Sequence, residues 1–391
     1  MLLLHGLAVL CLFAPAFAKE LVLIQALWRH GDRTPQETYP ADPYQEDFWK
    51  LKWGQLTTTG MWQHYQQGLR LKARYVDKLK FLNANYELED TYVRSTDVPR
   101  TLMSAYSNLA GFYSTSKNTF PTKASWPKNW SPVPVHTLEP ARDHLLHWDS
   151  ACPRRFQLFN ERAEFEGYQK FMSQYKELIS EIAQKTTWNV TDPFKLEVFF
   201  DTIFVEKLYN LTIPAWFTEA KYKELKGVLD LAIDYIYGNG EFGKAENVEL
   251  IRLTGGALLN AMIENMQKAV KKESPVKYIA YSAHDSTLNA LLRTLGAKKN
   301  VVPERVPEYA SHLVLELWKT DDGSFEVELQ YSANSKTDFV AVTDAITGCP
   351  KEEACPLDKF VSRSNKYVSK DMEKECKVLP SYVRGYRSKF T

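Results

Sequence analysis

The sequence has little cysteine and almost no net charge. Its 391 residues include 5 cysteines, and 49 Lys and Arg residues are balanced by 48 Asp and Glu residues. This balance excludes a protein that binds nucleic acid through a basic surface, and equally an acidic disordered chain. With 17 glycines and 19 prolines the composition is neither fibrous nor of low complexity. A chain of this length can bury a full core without metal or disulfide crosslinks.

Long hydrophobic runs are also lacking, except at the N-terminus. Residues 1–18 read MLLLHGLAVLCLFAPAFA, an apolar run that ends in a small-x-small sequence. This pattern predicts a secretory signal peptide cleaved after Ala18, with a short buried helix as the alternative. No later run is long enough to span a bilayer, so we expect no membrane anchor. The sequence therefore predicts a product that is secreted, or held in the lumen of an acidic organelle such as the lysosome.

Cleavage of the signal would leave four cysteines, an even number that suits the oxidising secretory pathway. They are Cys152, Cys349, Cys355 and Cys376, and their spacing leaves all three connectivities open. Three Asn-x-Ser/Thr sequons predict N-glycosylation at Asn129, Asn189 and Asn210. Asn129 is the poorest acceptor of the three because Pro132 follows its sequon.

Strand and helix patterns alternate at both ends of the chain, and helices alone fill the middle. Apolar runs at residues 21–28 and 276–283 and a short one at 92–93 indicate strands, while residues 313–331 resemble a hairpin. From about residue 152 to 237 the pattern is mostly helical. We therefore predict an α/β domain built from residues 19–149 and 248–391, with a smaller all-helical cap of residues 150–247 inserted between them.

Three of the predicted strands end in cationic or titratable residues. These are Arg29, His30 and Arg33 after the first strand, Arg94 at the second, and His284 and Asp285 after the third. Since ligands of open α/β sheets bind beyond the carboxyl ends of the strands, we expect these side chains to meet in one pocket. Three guanidinium groups around one point repel each other unless an anion lies there, and their planar forks fit the oxygens of a phosphate.

The same residues suggest a reaction. Burial among cations lowers the pKa of a histidine, so His30 would remain neutral and nucleophilic in acid. A carboxyl such as Asp285 is the natural proton donor to a leaving alcohol. Each residue also has an ordinary explanation, because an arginine at a strand end is usually a surface charge. Asp285 alone suits the N-cap of a helix over residues 287–295.

A known family carries the same motifs. Residues 29–35 read RHGDRTP, which matches the RHGxRxP signature of the histidine acid phosphatases. Residues 281–286 (YSAHDS) resemble the second catalytic segment of that family, and residues 92–97 (YVRSTD) resemble the segment that holds its third phosphate arginine. The resemblance, which points to the animal prostatic and lysosomal branch, runs from about Leu21 to about Cys376.

The resemblance implies a metal-independent acid phosphatase that acts on small phosphomonoesters or phosphopeptides and needs no cofactor. His30 would be the nucleophile that becomes phosphorylated, and Asp285 the acid that protonates the leaving group. The phosphate would be held by Arg29, Arg33, Arg94 and His284. The implied fold is a phosphoglycerate-mutase-like α/β sheet flanked by helices, with the helical cap inserted, and family members are often homodimers.

The resemblance also implies the disulfides Cys152–Cys376 and Cys349–Cys355. A third bond usual in the branch is missing here, because the corresponding positions fall near Val205 and near Ser311 and neither is a cysteine.

Two other patterns point to different chemistry but are weak. Residues 238–245 (GNGEFGKA) satisfy GxGxxG and GxxxxGK, yet Ala245 stands where a nucleotide-binding P-loop needs Ser or Thr, so we expect a turn. His136, His144 and His147 lack the spacing of metal ligands, so we expect loop histidines and no metal.

The rival functions are a phytase, sugar phosphatase or mutase on the same scaffold, and a secreted binding protein that has lost activity. The His284-Asp285 pair favours a hydrolase over a mutase. All six expected site residues are present, which argues against loss of activity.

Overall fold

A computed structural model describes residues 19–190 and 193–378. The strands are β1 (Glu20–Arg29), β2 (Thr91–Ser95), β3 (Tyr278–Ala283), β4 (His312–Lys319), β5 (Phe325–Ser332), β6 (Val340–Ala341) and β7 (Cys355–Pro356). In the described part of the chain they form one seven-stranded sheet with the order β2-β3-β1-β4-β5-β6, and β7 also pairs with β5. The predicted signal peptide, residues 1–18, lies outside the described residues.

Helices flank this sheet and fill the middle of the chain. Those from the two ends are α1 (Glu46–Trp49), α2 (Thr58–Lys72), α3 (Pro99–Phe112), α9 (Val248–Val270), α10 (Asp285–Thr294), α11 (Lys298–Val301), α12 (Leu357–Ser364) and α13 (Met372–Glu375). Those from the middle are α4 (Pro153–Ala163), α5 (Glu166–Ser173), α6 (Lys176–Thr186), α7 (Pro193–Leu208) and α8 (Glu219–Ile236). A π-helical turn at Ala73–Lys78 continues α2.

The central strand β1 explains why helices cover both faces of the sheet. Its side chains alternate between the faces, as in any strand. Leu23 and Leu27 pack into the apolar cluster that includes α9 and α10, whereas Ile24 and Trp28 pack into the cluster that includes α2 and α3. Both faces of β1 are therefore buried, which accounts for its nearly continuous apolar sequence.

The structure confirms the α/β fold class and the strands predicted from apolar runs, with one difference in direction. The nearly continuous apolar run at 21–28 predicts a buried strand of the parallel type. It is parallel to β3 but antiparallel to β4, so the sheet is mixed. The direction could not be derived from the run, because burial of both faces requires apolar residues whichever way the neighbours point. The predicted hairpin is β4–β5.

The middle of the chain is helical, as expected, and has an apolar cluster of its own. Phe199 and Ile203 of α7 pack in this cluster with Leu225 and Leu229 of α8. Other side chains of α4 and α8 pack against α9 in a further cluster, so the helical region and the sheet region share apolar contacts. The limits of a separate cap at 150–247 stay a prediction.

The structure describes the four cysteines, the glycine-rich segment and the three sequon asparagines. Cys152 is bonded to Cys376 and Cys349 to Cys355, the pairing that the resemblance implies. Residues 238–245 form the connection between α8 and α9. Asn129, Asn189 and Asn210 are exposed, and their glycosylation stays a prediction.

Two features are absent from the described residues. Among them, none of the helices combines the length and the apolarity that crossing a membrane requires. The same ranges contain no group of three His, Cys, Asp or Glu side chains arranged to hold a metal ion.

Candidate active site

His30 lies where β1 and β3 end side by side. Its backbone N–H donates to the carbonyl of Ala283, the last residue of β3, at 3.0 Å. The imidazole is buried, and its Nδ1 lies 2.8 Å from the carbonyl oxygen of Gly31. Because a carbonyl only accepts, Nδ1 carries the proton and Nε2 is left with a free electron pair. Burial, and next the charges of Arg100 and Arg29, hold the pKa of His30 well below its ordinary value.

Gly31 is required by a close approach of two backbones. A Cβ at this position would lie 2.4 Å from the carbonyl oxygen of Gly60, in the first turn of α2. No larger side chain fits, because the atoms it would meet are backbone rather than a flexible side chain. The glycine of the RHGxRxP signature thus lets α2 pack directly against the loop that carries His30.

Arg29 is fixed by three partners. Its Nη1 donates to the carbonyl of Pro307 at 2.6 Å, and its Nη2 lies 2.9 Å from Oδ2 of Asp285. The guanidinium also lies over the ring of Tyr309, with its Cζ 4.2 Å from the ring centroid. Asp285 is the first residue of α10, while the N-cap is His284, so the N-cap role considered for Asp285 is wrong.

The charges around Asp285 oppose the effect of its burial. Burial alone raises the pKa of a carboxyl, but the neighbouring Arg29 and Arg33 outweigh it and hold the pKa of Asp285 below its ordinary value. In the ligand-free site this carboxyl is therefore ionised.

Arg33 is bound by a carboxylate that the sequence analysis did not single out. Its Nη1 and Nη2 lie 3.0 and 2.9 Å from the two carboxylate oxygens of Asp201, in the middle of α7. Both side chains are largely buried. The pair joins the signature loop to the helical middle of the chain.

Arg94 does not lie in this pocket, which corrects the prediction. Its Nη2 is 2.5 Å from Oδ1 of the buried Asp143. The physical reason is the alternation of β2, in which Val93 and Ser95 point into the core while Tyr92 and Arg94 point to the other side. The third guanidinium of the pocket belongs instead to Arg100.

Arg100 reaches the pocket from the first turn of α3 and contacts His284. Its Nη2 lies 3.3 Å from Nδ1 of His284, and Nε2 of His284 lies 3.0 Å from the hydroxyl of Thr96. An arginine only donates, so Nδ1 accepts and Nε2 carries the proton. Burial, and next the charge of Arg100, hold the pKa of His284 well below its ordinary value.

The site opens into a cavity with two connected parts. A chamber of about 170 Å³ is lined by His30, Arg100 and His284. A larger part of about 370 Å³ begins at Arg29 and extends between α7, α8 and the loop before β4. The two parts share lining residues, among them Arg33 and Asp285. The cavity can therefore hold an anion at its inner end and an attached group in the larger part.

The structure thus brings together five of the six expected residues: Arg29, His30, Arg33, His284 and Asp285. The residues that sequence reasoning missed are Arg100, Asp201 and Tyr309. One signal could have identified Arg100, because Pro99 marks the start of a helix directly after β2, and phosphates bind at such helix starts. Asp201 and Tyr309 carry no comparable signal, since their proximity to the signature depends on long-range packing.

A family model and individual proteins match most of the chain. Residues 20–342 match the model described as "Histidine phosphatase superfamily (branch 2)". The lysosomal acid phosphatase of Rattus norvegicus is 36% identical over 380 residues, which cover 94% of this chain and 83% of that protein. The prostatic acid phosphatase of Mus musculus is 35% identical over 379 residues, which cover 95% and 93%.

Solved structures share the fold at lower identity. The phytase from Citrobacter braakii has a TM-score of 0.64 at 15% identity and covers 92% of this chain and 100% of its own. The multiple inositol polyphosphate phosphatase of Bifidobacterium longum has a TM-score of 0.59 at 12% identity, with coverages of 92% and 95%. These two likenesses concern the fold alone.

Proposed function

Because this chain belongs to branch 2 of the histidine phosphatase superfamily, we propose that it hydrolyses phosphomonoesters through a phosphohistidine on His30. It is an acid phosphatase of the lysosomal and prostatic kind, a class of secreted and lysosomal enzymes. The observation that carries the mechanism is the position of His30, whose Nε2 is unprotonated beside the guanidinium groups of Arg29, Arg33 and Arg100.

The phosphate is bound by donors that the resting site does not use. The Nε groups of Arg29, Arg33 and Arg100 are buried without a hydrogen-bond partner among the described residues. A buried donor left unpaired is costly, and a phosphate oxygen would satisfy it. Asp201 takes one N–H of each Nη atom of Arg33, and the carbonyl of Thr34 takes the second N–H of Nη1. Nε and the second N–H of Nη2 are therefore left for a phosphate oxygen. His284 faces the same chamber, and because its Nδ1 accepts from Arg100 and its Nε2–H donates to Thr96, it binds phosphate only by exchanging one of these partners.

In the first step, Nε2 of His30 attacks phosphorus in line with the ester oxygen. A bond forms between nitrogen and phosphorus while the bond between phosphorus and the ester oxygen breaks, and the leaving oxygen takes a proton from Asp285. Asp285 is ionised in the free site, so it must gain this proton when substrate binds. The negative charge of the phosphate offsets Arg29 and Arg33, which raises the proton affinity of Asp285 in the complex.

In the second step, water attacks the phosphohistidine. The Asp285 carboxylate, having given up its proton, accepts one from the attacking water, and His30 leaves as neutral imidazole. The low pKa of His30 suits work in acid, since an ordinary histidine would be mostly protonated near pH 5 and would have no free electron pair to attack with. All the side chains that act in these two steps belong to the described residues.

The rival phytase function has less support than a monoesterase. The lining of the larger part of the cavity has more carboxylates than cationic groups, and this excess repels a leaving group that carries further phosphates. The homodimer and the glycosylation sites remain predictions from the sequence.

The mechanism is tested with His30→Ala on a chromogenic aryl phosphate near pH 5. We expect kcat to fall by on the order of 10³ or more, because the variant lacks the group that forms the intermediate. His136→Ala is the matched control, since His136 stacks on Tyr92 outside the pocket. Near-normal turnover of the His30 variant would overturn the assignment.

The intermediate can also be trapped directly. Wild-type enzyme quenched during turnover of ³²P-labelled substrate should retain alkali-stable label on a peptide containing His30, and the alanine variant should retain none. Turnover should also survive dialysis against a chelator. Loss of turnover that Zn²⁺ or Mg²⁺ restores would contradict metal independence.

A further inference from the structure

We propose that the larger cavity selects phosphomonoesters whose leaving alcohol carries an ammonium group. This proposal rests on the proposed phosphatase function, because it concerns the part of the substrate that is not phosphate. It assigns a binding role to the wall formed by α7, α8 and the loop of residues 302–308, called here the acidic wall.

The described lining of the larger cavity carries more negative than positive side chains. Six carboxylates face four cationic groups. At the phosphate end, Arg29 is paired with Asp285 and Arg33 with Asp201. The excess negative charge therefore lies on the acidic wall.

The acidic wall has two carboxylates that form no ion pair among the described residues. Lys226 pairs with Asp230 at 2.8 Å, and Arg305 pairs with Glu197. The remaining two are Glu304 and Glu308, of which Glu308 accepts from the side chain of Asn334 at 3.0 Å and lies nearer to the phosphate end, because Pro307 before it binds Arg29. A substrate whose phosphate lies on the arginines would thus present its alcohol portion to a negative surface.

The loop that carries these two glutamates is held firmly although it has no regular structure. The buried ammonium of Lys298 donates to the carbonyls of Val302 and Glu304, both at 2.7 Å. The backbone N–H of Arg305 donates to Asp230 at 2.9 Å, and its carbonyl accepts from the side chain of Asn289 at 2.7 Å. Lys298 also lies 3.8 Å from the carboxylate of Asp234, which pairs its buried charge. The backbone that carries the two glutamates is therefore fixed by contacts from other elements, and the wall is preorganised.

The other lining groups suit the same ligand. Phe200, Phe204 and Tyr222 supply aromatic surface, which attracts both hydrocarbon and cations. The amide oxygen of Asn289 lines the adjoining chamber and is buried without a partner among the described residues. The volume of about 370 Å³ fits a small molecule.

The test uses three phenyl phosphates that differ only in the para substituent: aminomethyl, hydroxymethyl and carboxymethyl. Because the phosphate and the phenol are shared, differences in kcat/KM report the charge of the substituent. We measure at about pH 5.5, in the acidic range of the proposed function. The expected order is ammonium, then neutral, then carboxylate, with a span of roughly tenfold between the ends, since each partly exposed charge contact contributes roughly two- to fivefold.

The variant Glu304→Gln with Glu308→Gln removes the two unpaired charges of the acidic wall. The ratio of kcat/KM between the ammonium and carboxylate substrates should fall to about threefold or less. Its matched control is Glu352→Gln with Glu353→Gln, which changes the net charge equally at an exposed loop away from the cavity and should keep the wild-type ratio. High salt should compress the wild-type ratio as well, because it screens exposed charges.

Different results would overturn the acidic wall and the phosphatase function. Hydrolysis of all three substrates at equal kcat/KM, or preference for the carboxylate, would overturn the acidic wall and leave the phosphatase function intact. Loss of the ratio in both double variants would also overturn it, because the effect would then come from overall charge. Failure to hydrolyse the neutral substrate would overturn the proposed function itself.

Discussion

Six positions separate Arg94 from Arg100, and the two guanidinium groups have different roles. Arg100 contacts His284 inside the cavity, whereas Arg94 holds the buried carboxylate of Asp143. Asp143 in turn accepts the backbone N–H groups of Leu145 and Leu146 and so orders the loop that follows. We therefore propose that Arg100 binds the substrate, whereas Arg94 stabilises the fold.

This difference can be measured with two alanine variants. Arg100→Ala should lose about 30-fold to 1,000-fold in kcat/KM, because a buried phosphate oxygen loses a charged donor worth roughly 2 to 4 kcal/mol. Inhibition by inorganic phosphate should weaken in the same variant. Arg94→Ala should instead lower stability by roughly 1 to 3 kcal/mol, since it leaves Asp143 buried without its cation, and should keep activity below the melting temperature. The reverse pattern would restore Arg94 to the phosphate site.

The error at Arg94 shows how far single residues could be predicted. The motif and the rule for strand ends place Arg29, His30, Arg33, His284 and Asp285 near one another, because adjacent strands end at the same edge. Neither rule predicts which face of the five-residue strand β2 a side chain occupies. In β2 the face decides whether the side chain of Arg94 points into the core or toward Asp143. Arg100 lies beyond the turn that follows β2, and the strand pattern does not predict the path of that turn.

At the scale of elements, α7 ties the helical middle of the chain to the signature loop. Asp201 holds Arg33, and the hydroxyl of Thr202 donates to the carbonyl of Glu37 at 2.7 Å. One turn further along, the buried Glu206 lies beside Asp42 of the same loop. Burial, and next the charge of Asp42, raise the pKa of Glu206 to about 9.

This pair makes the contribution of Glu206 to stability largest in acid. Glu206 is protonated in the folded state up to about pH 9, whereas in the unfolded chain it ionises near its ordinary value of 4.5. Between these values the folded state binds more protons, so its stabilising contribution is complete below pH 4.5 and is lost as the pH rises, by up to about 1.4 kcal/mol per pH unit.

Glu206→Gln should therefore flatten the fall of stability between pH 5 and pH 8. Urea denaturation at the two pH values measures the difference. The control is Glu224→Gln, which changes an exposed glutamate of α8 and should leave the slope as in wild type. An unchanged slope in the Glu206 variant would show that its carboxyl does not carry the pH dependence.

Elements differ in how well their sequences predict them. β1 and β3 are buried on both faces and have apolar runs, and the β4–β5 hairpin has a turn signal, so all of them were predicted. α7 buries side chains around much of its circumference, among them Leu196, Phe199 and Val205, which blurs the helical period. The loop at 302–308 has no period at all, because its position depends on Lys298, Asn289 and Asp230 from other elements.

At the scale of the whole molecule, the two disulfides close loops of very different length. Cys152 and Cys376 are 224 positions apart and Cys349 and Cys355 are 6 apart. Replacing the first pair by serine should cost roughly 5 kcal/mol of unfolding free energy on chain-entropy grounds, and replacing the second roughly 2 kcal/mol, with smaller values common in practice. Denaturant midpoints of the two double variants provide the comparison, and an equal loss in both would contradict the chain-entropy account.

The pairing of β1 with β3 joins two segments that are synthesised at different times. The indole of Trp28 donates to the hydroxyl of Ser282 at 2.8 Å, across 254 positions of sequence. Ribosomes add about 5 to 20 residues per second, so the partner strand of β1 is made roughly 10 to 50 s after β1 itself. During that interval a largely apolar strand has no partner strand, so the nascent chain exposes an aggregation-prone segment. The proposed nucleophile His30 is thus made early and the proposed acid Asp285 late, and the proposed site is complete only after most of the chain has been translated.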